Sequence, residues 1–320
     1  MAQNIQLEIR NTLSDEEANP SYLIGKPDAL LEKVEDCMFK ALVAIFEMNT
    51  EGPAILNEAI EYHLRSGGQR LRARLALSAG RAIGLNDHDV ICIAAAVELL
   101  HNASLIHDDL QDGDQFRRGH ESVWSKFGKN TAICCGDFYL STAYAVLAEV
   151  SKSDVLPQML KIMHRRVSQA SYGQSADLSI TRDQLTLEAY LEVVMAKSGA
   201  LLSLPLEFVL LLGGHDKSMH IAHQACKDFA VGFQIFDDLR DASADSQQGV
   251  DGGGRLNIIA VFERLNRGLD ISFDPIEAAK EIAVQHLKKS ELSLVQLPSQ
   301  SGQLLGECTK NIGCLVKALH

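Results

Sequence analysis

Residues 91–112 read ICIAAAVELLHNASLIHDDLQD, an apolar run that ends in three aspartates. Up to Ile106 the apolar side chains occupy every side of a helix, which is typical of a helix buried inside a large helical assembly. At the acidic end, Asp108 and Asp112 share one face of the last turn, and Asp109 lies beside them. The stretch therefore predicts an all-α fold organised around a buried helix with a partly buried acidic end.

The aspartates of this first triad repel one another, and they also meet the negative end of the helix dipole. Both effects disfavour the charged form of a carboxylate. Either the pKa values of the triad rise or the site holds a cation. A hard divalent cation is the simpler interpretation.

The same DDxxD spacing recurs as a second triad, Asp237, Asp238 and Asp241, at the predicted end of an apolar helix that starts near Met219. Aspartate makes up 22 of the 320 residues, so chance predicts this pattern about 0.1 times. The repetition is the strongest functional signal in the chain. Residues 243–254 follow it, and their polar, glycine-rich composition predicts a flexible lid or a long loop.

The composition favours one domain with an aliphatic core. Hydrophobic residues make up 46% of the chain and aromatic residues only 6%. Because no linker or repeat divides the sequence, we expect a flexible arm at 1–27 and one helical domain at 28–320. The formal net charge of -12 argues against nucleic acid as a partner, whereas a small anionic substrate needs only a local basic patch.

The seven cysteines are an odd number in mostly apolar surroundings, which favours reduced thiols over a disulfide framework. Residues 1–19 are polar and acidic and lack the features of a signal peptide. The apolar stretch at 200–212 is too short to span a bilayer. We therefore expect a soluble, cytoplasmic protein without a transmembrane segment.

A glycine pair, Gly67 and Gly68, precedes Arg70, Arg72 and Arg74 in the densest basic patch of the chain. Glycines let backbone N–H groups approach an anion closely, and the arginine fork matches phosphate oxygens. The alternative is a turn between two helices, 54–65 and the next, with a solvated basic start.

Apolar helices are predicted at 28–48, 130–150, 154–172 and 186–212. Further helices are predicted after residue 256, with breaks near residues 274 and 298. Other polar groups stand at the ends of the apolar helices. Arg117 and Arg118 follow the first triad, where they either neutralise it or hold the same anion as the metal. Lys197 and Ser198 lie within the fourth of these apolar helices, at 186–212.

Two aspartate triads suit Mg²⁺ ions, which take oxygen ligands and share the phosphate oxygens of a substrate. The chain has neither the GxxxxGK[ST] loop of nucleotide-binding proteins nor the Cys and His spacing of zinc sites. Because aliphatic helices surround the triads, the pattern predicts a diphosphate substrate with an apolar body.

The motifs that carry a family resemblance are GGQRLRA at 67–73, ELLHNASLIHDDLQD at 98–112, RRG at 117–119, GQSADL at 173–178, KSGAL at 197–201 and GFQIFDDLRD at 232–241. In this order the chain resembles the trans-isoprenyl (polyprenyl) diphosphate synthase family over nearly its whole length. The resemblance implies a helical bundle of the isoprenoid synthase type with a deep central cavity, usually a homodimer, and about three Mg²⁺ ions shared with the substrate diphosphate.

The resemblance also implies roles for individual residues. Asp108, Asp112 and Asp237 would bind Mg²⁺, with Asp109, Asp238 and Asp241 in support. The allylic diphosphate would lie against Arg117, Lys197 and Gln234, with Ser198 beside them, and isopentenyl diphosphate against Arg70, His101 and Arg118. The reaction implied is ionisation of the allylic diphosphate, attack by isopentenyl diphosphate and loss of a proton.

The product length in this family depends on the floor of the cavity, four and five residues before the first aspartate. Here these residues are Ser104 and Ala103, and both are small. The resemblance therefore implies a product longer than farnesyl diphosphate, geranylgeranyl or beyond. Leu100 or a neighbouring helix is the alternative floor.

The chain departs from the family pattern at Gln69, where the family usually has lysine, and in the polar segment after the second triad, where lysine and GKxT are usual. These departures leave two alternatives to elongation with isopentenyl diphosphate. One is prenyl transfer to another acceptor or cyclisation of the allylic diphosphate. The other is a non-catalytic partner subunit, against which two intact triads argue.

Overall fold

The computed structural model describes residues 29–48, 54–181, 184–248, 256–266 and 273–319, without the side chains of 45–48 and 243–248. The predicted arm at 1–27 lies outside these ranges. The helices in chain order are α1 (Ala29–Met48), α2 (Ala54–Arg65), α3 (Leu71–Ile83), α4 (Asp87–Asp112), α5 (Val123–Phe127), α6 (Lys129–Leu147), α7 (Leu156–Ser179), α8 (Leu187–Val194), α9 (Ala200–Leu212), α10 (Met219–Gln248), α11 (Ile258–Asn266), α12 (Pro275–Leu294) and α13 (Gln303–Ala318).

Helices account for nearly all of the described structure, which confirms the all-α prediction. Strands β1 (Phe116–Arg117) and β2 (His120–Glu121) form one short antiparallel hairpin directly after α4. A π turn, Met195–Gly199, joins α8 to α9, so that the predicted helix at 186–212 is continuous but locally widened.

Two helices form the centre of the bundle. α4 packs against α1, α3, α6 and α9. Every residue of α9 from Ala200 to Leu212 is buried, so α9 is covered more completely than α4. Buried aliphatic side chains of both helices join one hydrophobic core cluster, as the composition predicts.

The start and the end of α4 are fixed by local chemistry. The Asn86 side chain accepts a hydrogen bond from Asp89 N and caps the first turn. Asp89 in turn accepts hydrogen bonds from the Ser151 backbone N–H and hydroxyl, each at 2.6 Å, which fixes α4 against the segment after α6. At the other end Gly113 has a φ of 74°, a left-handed conformation that suits glycine and stops the helix directly after Asp112.

Two stretches, Asp87–Asp112 and Leu187–Leu212, are long and apolar enough to cross a membrane by composition. In the folded chain 72% and 78% of their apolar windows are buried against other helices. Such burial is typical of the core helices of a bundle.

The second triad does not end its helix as the sequence predicts. α10 continues beyond Asp241 to Gln248, so residues 243–248 are helical rather than loop. Residues 249–255, the rest of the predicted lid or loop, lie outside the described ranges.

Candidate active site

The first triad occupies the last turn of α4, and its members differ in environment. Asp108 lines a cavity beneath the helix end. Burial raises the pKa of Asp108 to about 6, an effect that Lys197 opposes and the neighbouring charge of Asp112 reinforces. The negative charge of Asp108 is therefore only partly compensated by the fold.

Asp112 and Asp177, a carboxylate of α7, both lie near the ammonium group of Lys197. One oxygen of Asp112 accepts a hydrogen bond from Gln174 Nε2 at 3.2 Å, and the other lies 3.9 Å from Lys197 Nζ. Lys197 donates more closely to Asp177, at 2.8 Å. Two carboxylates thus face one ammonium group at the mouth of the site.

Asp109 faces away from Asp108, towards the β-hairpin. Its side chain is only 1% exposed, and its Oδ1 lies 2.6 Å from Nε and 2.5 Å from Nη2 of Arg117. Burial raises the pKa of Asp109, and the hydrogen bond from Arg117 opposes that effect. Arg117, which the resemblance assigns to a diphosphate, is therefore oriented by Asp109.

In the second triad, burial disfavours the charged form of Asp237. Burial raises its pKa to about 7; Arg240 opposes this effect and the other two aspartates of the triad add to it. Arg240 Nη2 lies 3.3 Å from Asp237, and Arg240 Nε lies 3.9 Å from Asp241. Asp241 is 69% exposed, so solvent screens its charge.

Asp238 is satisfied by protein groups. It accepts hydrogen bonds from the Tyr190 hydroxyl at 2.8 Å, Gln234 Nε2 at 2.9 Å and the Ile258 backbone N–H at 2.9 Å. In this conformation both its oxygens are engaged, although the resemblance includes it among the metal ligands. Asp238 and Gln234 therefore hold each other and the start of α11.

The π turn that carries Lys197 packs against both α7 and α10. Tyr190, just before this turn, has a pKa raised well above its ordinary value by burial and then by Asp238, with smaller effects from Asp237 and Asp177. Asp177 therefore lies within electrostatic reach of the same phenol as the second triad. Because Asp177 also shares Lys197 with Asp112, the two triads lie at the same end of the bundle.

A cavity of about 960 Å³, here called the basic cavity, lies between α3, α4 and α10. Its wall on the α10 side is largely apolar, with Phe229, Ala230 and Phe233. The polar lining includes the carboxylates of Glu35 and Glu98, but most of it consists of positively charged or hydrogen-bonding side chains that come from five separate stretches of sequence. These side chains include Gln69, Arg70, Arg72, Arg74, His101, Arg117, Arg118, Ser198 and Gln234.

Several nitrogen atoms of residues that line the basic cavity have no hydrogen-bond partner, although one of them, Arg70 Nη1, lies 3.8 Å from Glu98. Among the described residues, Arg70 Nη1, Arg72 Nε and His101 Nδ1 are buried without a hydrogen bond. Burial lowers the pKa of His101 well below its ordinary value, and Arg72 and Arg118 add to the effect, so its imidazole is neutral. Buried groups of this kind gain stability when an anion or water satisfies them.

Arg70 and Arg72 differ in a way that sequence reasoning missed. Arg70 is only 5% exposed and forms ion pairs with Glu35 at 3.2 Å and Glu98 at 3.8 Å. It also adopts a left-handed φ of 53° immediately before α3. Arg72 lies inside the first turn of α3 and lines the basic cavity. The resemblance assigns isopentenyl diphosphate to Arg70 and not to Arg72, and the pattern of the basic patch alone does not distinguish the two arginines.

A second cavity of about 520 Å³, here called the apolar cavity, lies beneath Asp108. Ala103 and Ser104 line it on the α4 side, and Leu100 lies one turn deeper. Leu140, Val167 and Leu201 come from the helices that face α4. The two small side chains are therefore part of a cavity wall whose deeper lining is aliphatic.

The donor chemistry of the triads fits Mg²⁺. Within the described ranges no three His, Cys, Asp or Glu side chains converge as a preformed metal cage. Mg²⁺ does not need one, since it is usually held by one or two carboxylates together with substrate phosphates and water. Asp108 and Asp237 supply such carboxylates, and their raised pKa values report charge that a cation would compensate.

The sequence profile of the polyprenyl synthetases matches residues 53–251. The chain belongs to the polyprenyl synthetase family. Among the relatives of this chain, the geranylgeranyl pyrophosphate synthase of Geoglobus acetivorans is 31% identical over 253 residues, 76% of this chain and 78% of the relative. The farnesyl diphosphate synthase of Geobacillus stearothermophilus is 33% identical over 200 residues, 60% of this chain and 67% of the relative.

The fold of this chain matches that of solved structures. The geranylgeranyl pyrophosphate synthetase of Pyrococcus horikoshii has a TM-score of 0.72 at 28% identity, over 89% of this chain and 98% of the other. The relatives are prenyl diphosphate synthases, and the chain is accordingly a prenyltransferase.

Proposed function

We propose that this prenyltransferase condenses an allylic diphosphate (dimethylallyl, geranyl or farnesyl) with isopentenyl diphosphate in a Mg²⁺-dependent reaction. The observation that carries the proposal is the combination of an undercompensated aspartate, Asp108, in the wall of the apolar cavity with unpaired hydrogen-bond donors of Arg72 and His101 that line the basic cavity. Such a site accepts a diphosphate at one end and a hydrocarbon chain at the other. The protein acts in the cytoplasm as a soluble homodimer.

The allylic diphosphate binds between the triads. Asp108, Asp112 and Asp237 are the residues proposed to hold Mg²⁺, while Lys197 and Arg117 contact the diphosphate directly. Bound Mg²⁺ supplies positive charge that stabilises the departing diphosphate. The contacts of Asp238 and Asp109 with protein groups support a positioning role for both.

Isopentenyl diphosphate binds in the basic cavity. Arg72, His101 and Arg118 form this pocket; Arg118 already donates a hydrogen bond to the Gly67 carbonyl. Arg70, assigned to this pocket by the resemblance, contributes mainly by fixing the turn before α3 through Glu35 and Glu98. The unpaired Arg72 Nε and His101 Nδ1 favour an anionic acceptor in this pocket over cyclisation, which needs none.

The reaction begins when the allylic C–O bond breaks and its electron pair leaves with the diphosphate. The double bond of isopentenyl diphosphate then attacks the allylic C1, and a proton passes to the released diphosphate. The apolar cavity keeps water from the carbocation. The π turn at Met195–Gly199 departs from regular helical hydrogen bonding, so a carbonyl near Lys197 and the Ser198 hydroxyl can face the positive charge.

The product is geranylgeranyl diphosphate or longer, because Ala103 and Ser104 leave space in the wall of the apolar cavity. Leu100, eight residues before Asp108 and so about 12 Å along the helix, lies deeper in the same lining. Ala103→Phe should shorten the product, and mass spectrometry of the products measures this. An unchanged product length would place the floor elsewhere.

Mass spectrometry of a simple incubation tests the reaction itself. The purified protein is mixed with Mg²⁺ and farnesyl diphosphate, with and without isopentenyl diphosphate. Longer diphosphates should form only when both substrates are present. Hydrocarbon with free diphosphate in either mixture would instead indicate cyclisation, and no elongated product would reject elongation. Asp108→Asn is the control and should abolish product formation.

A further inference from the structure

We infer that Glu98 is a positioning residue of the acceptor pocket, which holds the arginines around isopentenyl diphosphate in place without touching the diphosphate itself. The inference rests on the proposed function, because it concerns the pocket assigned to isopentenyl diphosphate. Glu98 belongs to neither triad and has no role among those that the family resemblance implies. Together with Glu35 it lines the basic cavity, although that cavity is proposed to bind an anion.

The geometry of Glu98 excludes a direct contact with a diphosphate. Its side chain is only 2% exposed, and a carboxylate that met phosphate oxygens would repel them. Both of its oxygens instead face groups of the protein. Oε2 accepts a hydrogen bond from the Ala73 backbone N–H at 3.2 Å, and Oε1 lies 3.8 Å from Arg70 Nη1. Any effect of Glu98 on a substrate therefore acts through these neighbours.

The contact with Ala73 caps α3 from a neighbouring helix. The first N–H groups of a helix have no partner within it, and Arg70, the residue before α3, provides no side-chain cap. Ala73 is the third residue of α3, where the oxygen of a capping side chain ordinarily binds. Because Glu98 supplies that oxygen from α4, the first turn of α3, which carries Arg72, is fixed against α4.

Glu98 also compensates the positive charges around it. Burial lowers the pKa of Arg72, and Glu98 opposes this effect. Burial likewise lowers the pKa of Arg118, Arg70 adds to the effect, and Glu98 again opposes it. Arginines from two separate segments repel one another at the basic cavity, and a buried carboxylate among them keeps them together before a substrate arrives.

The same turn of α4 supplies another group of the acceptor pocket. Glu98 and His101 are three residues apart on the helix, and both line the basic cavity. Asn102 Nδ2 donates a hydrogen bond to the Glu98 backbone carbonyl at 2.7 Å, and Asn102 Oδ1 lies 3.0 Å from His63 Nε2. This turn is therefore anchored on its other side, so that Glu98 joins α3 to a fixed support.

Steady-state kinetics separates positioning from a simple effect of charge. If Glu98 only weakened the positive potential of the basic cavity, its neutralisation would lower the KM for isopentenyl diphosphate. Positioning predicts the opposite. Glu98→Gln, which keeps an oxygen for the Ala73 N–H but loses the charge, should raise this KM about threefold, and Glu98→Ala, which loses both, about tenfold or more. The KM for farnesyl diphosphate should stay within about twofold in both variants.

Asp89→Asn is the matched control. Asp89 is also a buried carboxylate of α4, but it accepts hydrogen bonds from Ser151 rather than from α3 and lies outside the lining of both cavities. Its substitution should lower the melting temperature, as Glu98→Gln does, but should change neither KM. A KM for isopentenyl diphosphate that rose equally in Asp89→Asn and Glu98→Gln would overturn the inference, because a general loss of stability would then explain both.

Isothermal titration calorimetry with isopentenyl diphosphate alone gives a second measurement that does not depend on turnover. Binding should weaken in Glu98→Gln and weaken further in Glu98→Ala. Because Glu98→Gln preserves the shape of the side chain, it decides the question even if Glu98→Ala does not fold. Binding by Glu98→Gln as tight as that of the wild type, or tighter, would overturn the inference. If the wild type binds isopentenyl diphosphate but makes no elongated product, the proposed function fails, and calorimetry still decides the role of Glu98.

Discussion

Asp108 and Asp109 are neighbours in sequence but should respond differently to the same substitution. Asp108→Asn removes a carboxylate that faces the cavity and should lower the rate about 100-fold or more, with little loss of stability. Asp109→Asn leaves Arg117 without its carboxylate and should lower the free energy of unfolding by about 2 kcal/mol. Activity at saturating Mg²⁺ and urea unfolding of both variants measure the contrast.

Raising the Mg²⁺ concentration extends this comparison. Asp109→Asn should keep the wild-type Mg²⁺ dependence of activity, because Asp109 faces the hairpin rather than the cavity. Asp108→Asn should need more Mg²⁺ for any residual activity. Identical Mg²⁺ profiles for the two variants would show that the division of roles within the triad is wrong.

His63 should make the protein sensitive to acid. Burial, followed by Arg118, lowers its pKa to about 3, while its ring Nε2 lies 3.0 Å from Asn102 Oδ1. Between about pH 6.5 and pH 3 the unfolded chain binds a proton at His63 that the folded chain does not. Stability therefore rises with pH in this window and falls on acidification, by up to about 1.4 kcal/mol per pH unit for this group.

Urea unfolding of wild type and His63→Asn at about pH 7 and about pH 5 measures this contribution. The variant should be less stable at neutral pH, because it loses a buried contact, but it should lose about 2 kcal/mol less than the wild type on acidification. Other titrating groups act equally in both proteins. Parallel pH profiles would contradict the assignment.

At the residue scale, spacing alone predicts which aspartates cluster, because positions four apart share a helical face. It cannot predict that Asp109 and Asp238 are engaged by the protein. Their partners Arg117, Tyr190 and Ile258 come from the hairpin, from α8 and from the start of α11, and only the folded chain brings them together. The different roles of Arg70 and Arg72 depend likewise on Glu35 and Glu98.

Among the elements, α7 and the π turn meet at Gly173, and this close contact positions Lys197. A Cβ at Gly173 would lie 2.5 Å from the Lys197 backbone N and 2.9 Å from the Ala196 Cβ. Gly173→Ala should force the π turn away from α7, lower stability by about 1–3 kcal/mol and weaken the contacts of Lys197 with Asp177 and Asp112.

Thermal unfolding and the KM for the allylic diphosphate measure the two effects of Gly173→Ala. We expect a lower melting temperature and a KM raised about tenfold, since the lysine is displaced. Gly306→Ala in α13 is a matched control, because its Cβ would meet nothing within 4 Å. That substitution should be neutral or stabilise by about 0.5 kcal/mol. Equal effects from both substitutions would contradict the packing argument.

Most helices can be predicted from hydrophobic spacing and from their end signals. The boundaries of α2 agree with the pattern, Gly84 closes α3, and Pro275 opens α12. The extension of α10 to Gln248 cannot be predicted in the same way, because residues 241–248 are nearly all polar or small and give no apolar stripe. The π turn is equally hidden, since Met195–Gly199 has no sequence signal for the extra residue.

In the whole molecule, some charged residues form a buried network inside the bundle, although sequence patterns suggest that they lie at the surface. Arg166 in α7 pairs with Glu207 in α9 through contacts of 2.5 and 2.8 Å, and both side chains are nearly buried. Ser203 and His223 extend the network to α10. A charged residue in an amphipathic pattern is ordinarily assigned to solvent, so pairing across three helices becomes visible only in the assembled bundle.

The two triads come from distant parts of the chain, and a ligand that bridges them should stabilise the whole molecule. Inorganic pyrophosphate with Mg²⁺ should raise the melting temperature by about 4 °C at a hundredfold excess over the dissociation constant, which corresponds to about 2.7 kcal/mol. Either component alone should give a much smaller shift, because Asp108 and Asp237 repel an anion without the metal. Differential scanning calorimetry measures all three conditions.

Asp108→Asn and Asp237→Asn should each abolish most of the combined shift. The reason is that one carboxylate from α4 and one from α10 are both needed to hold a metal–pyrophosphate complex between the helices, so the loss of either leaves the complex attached to one helix alone. A full shift in either variant would mean that the triads bind independently. If Mg²⁺ alone gave the full shift, the cation would need no phosphate, contrary to the absence of a preformed cage among the described residues.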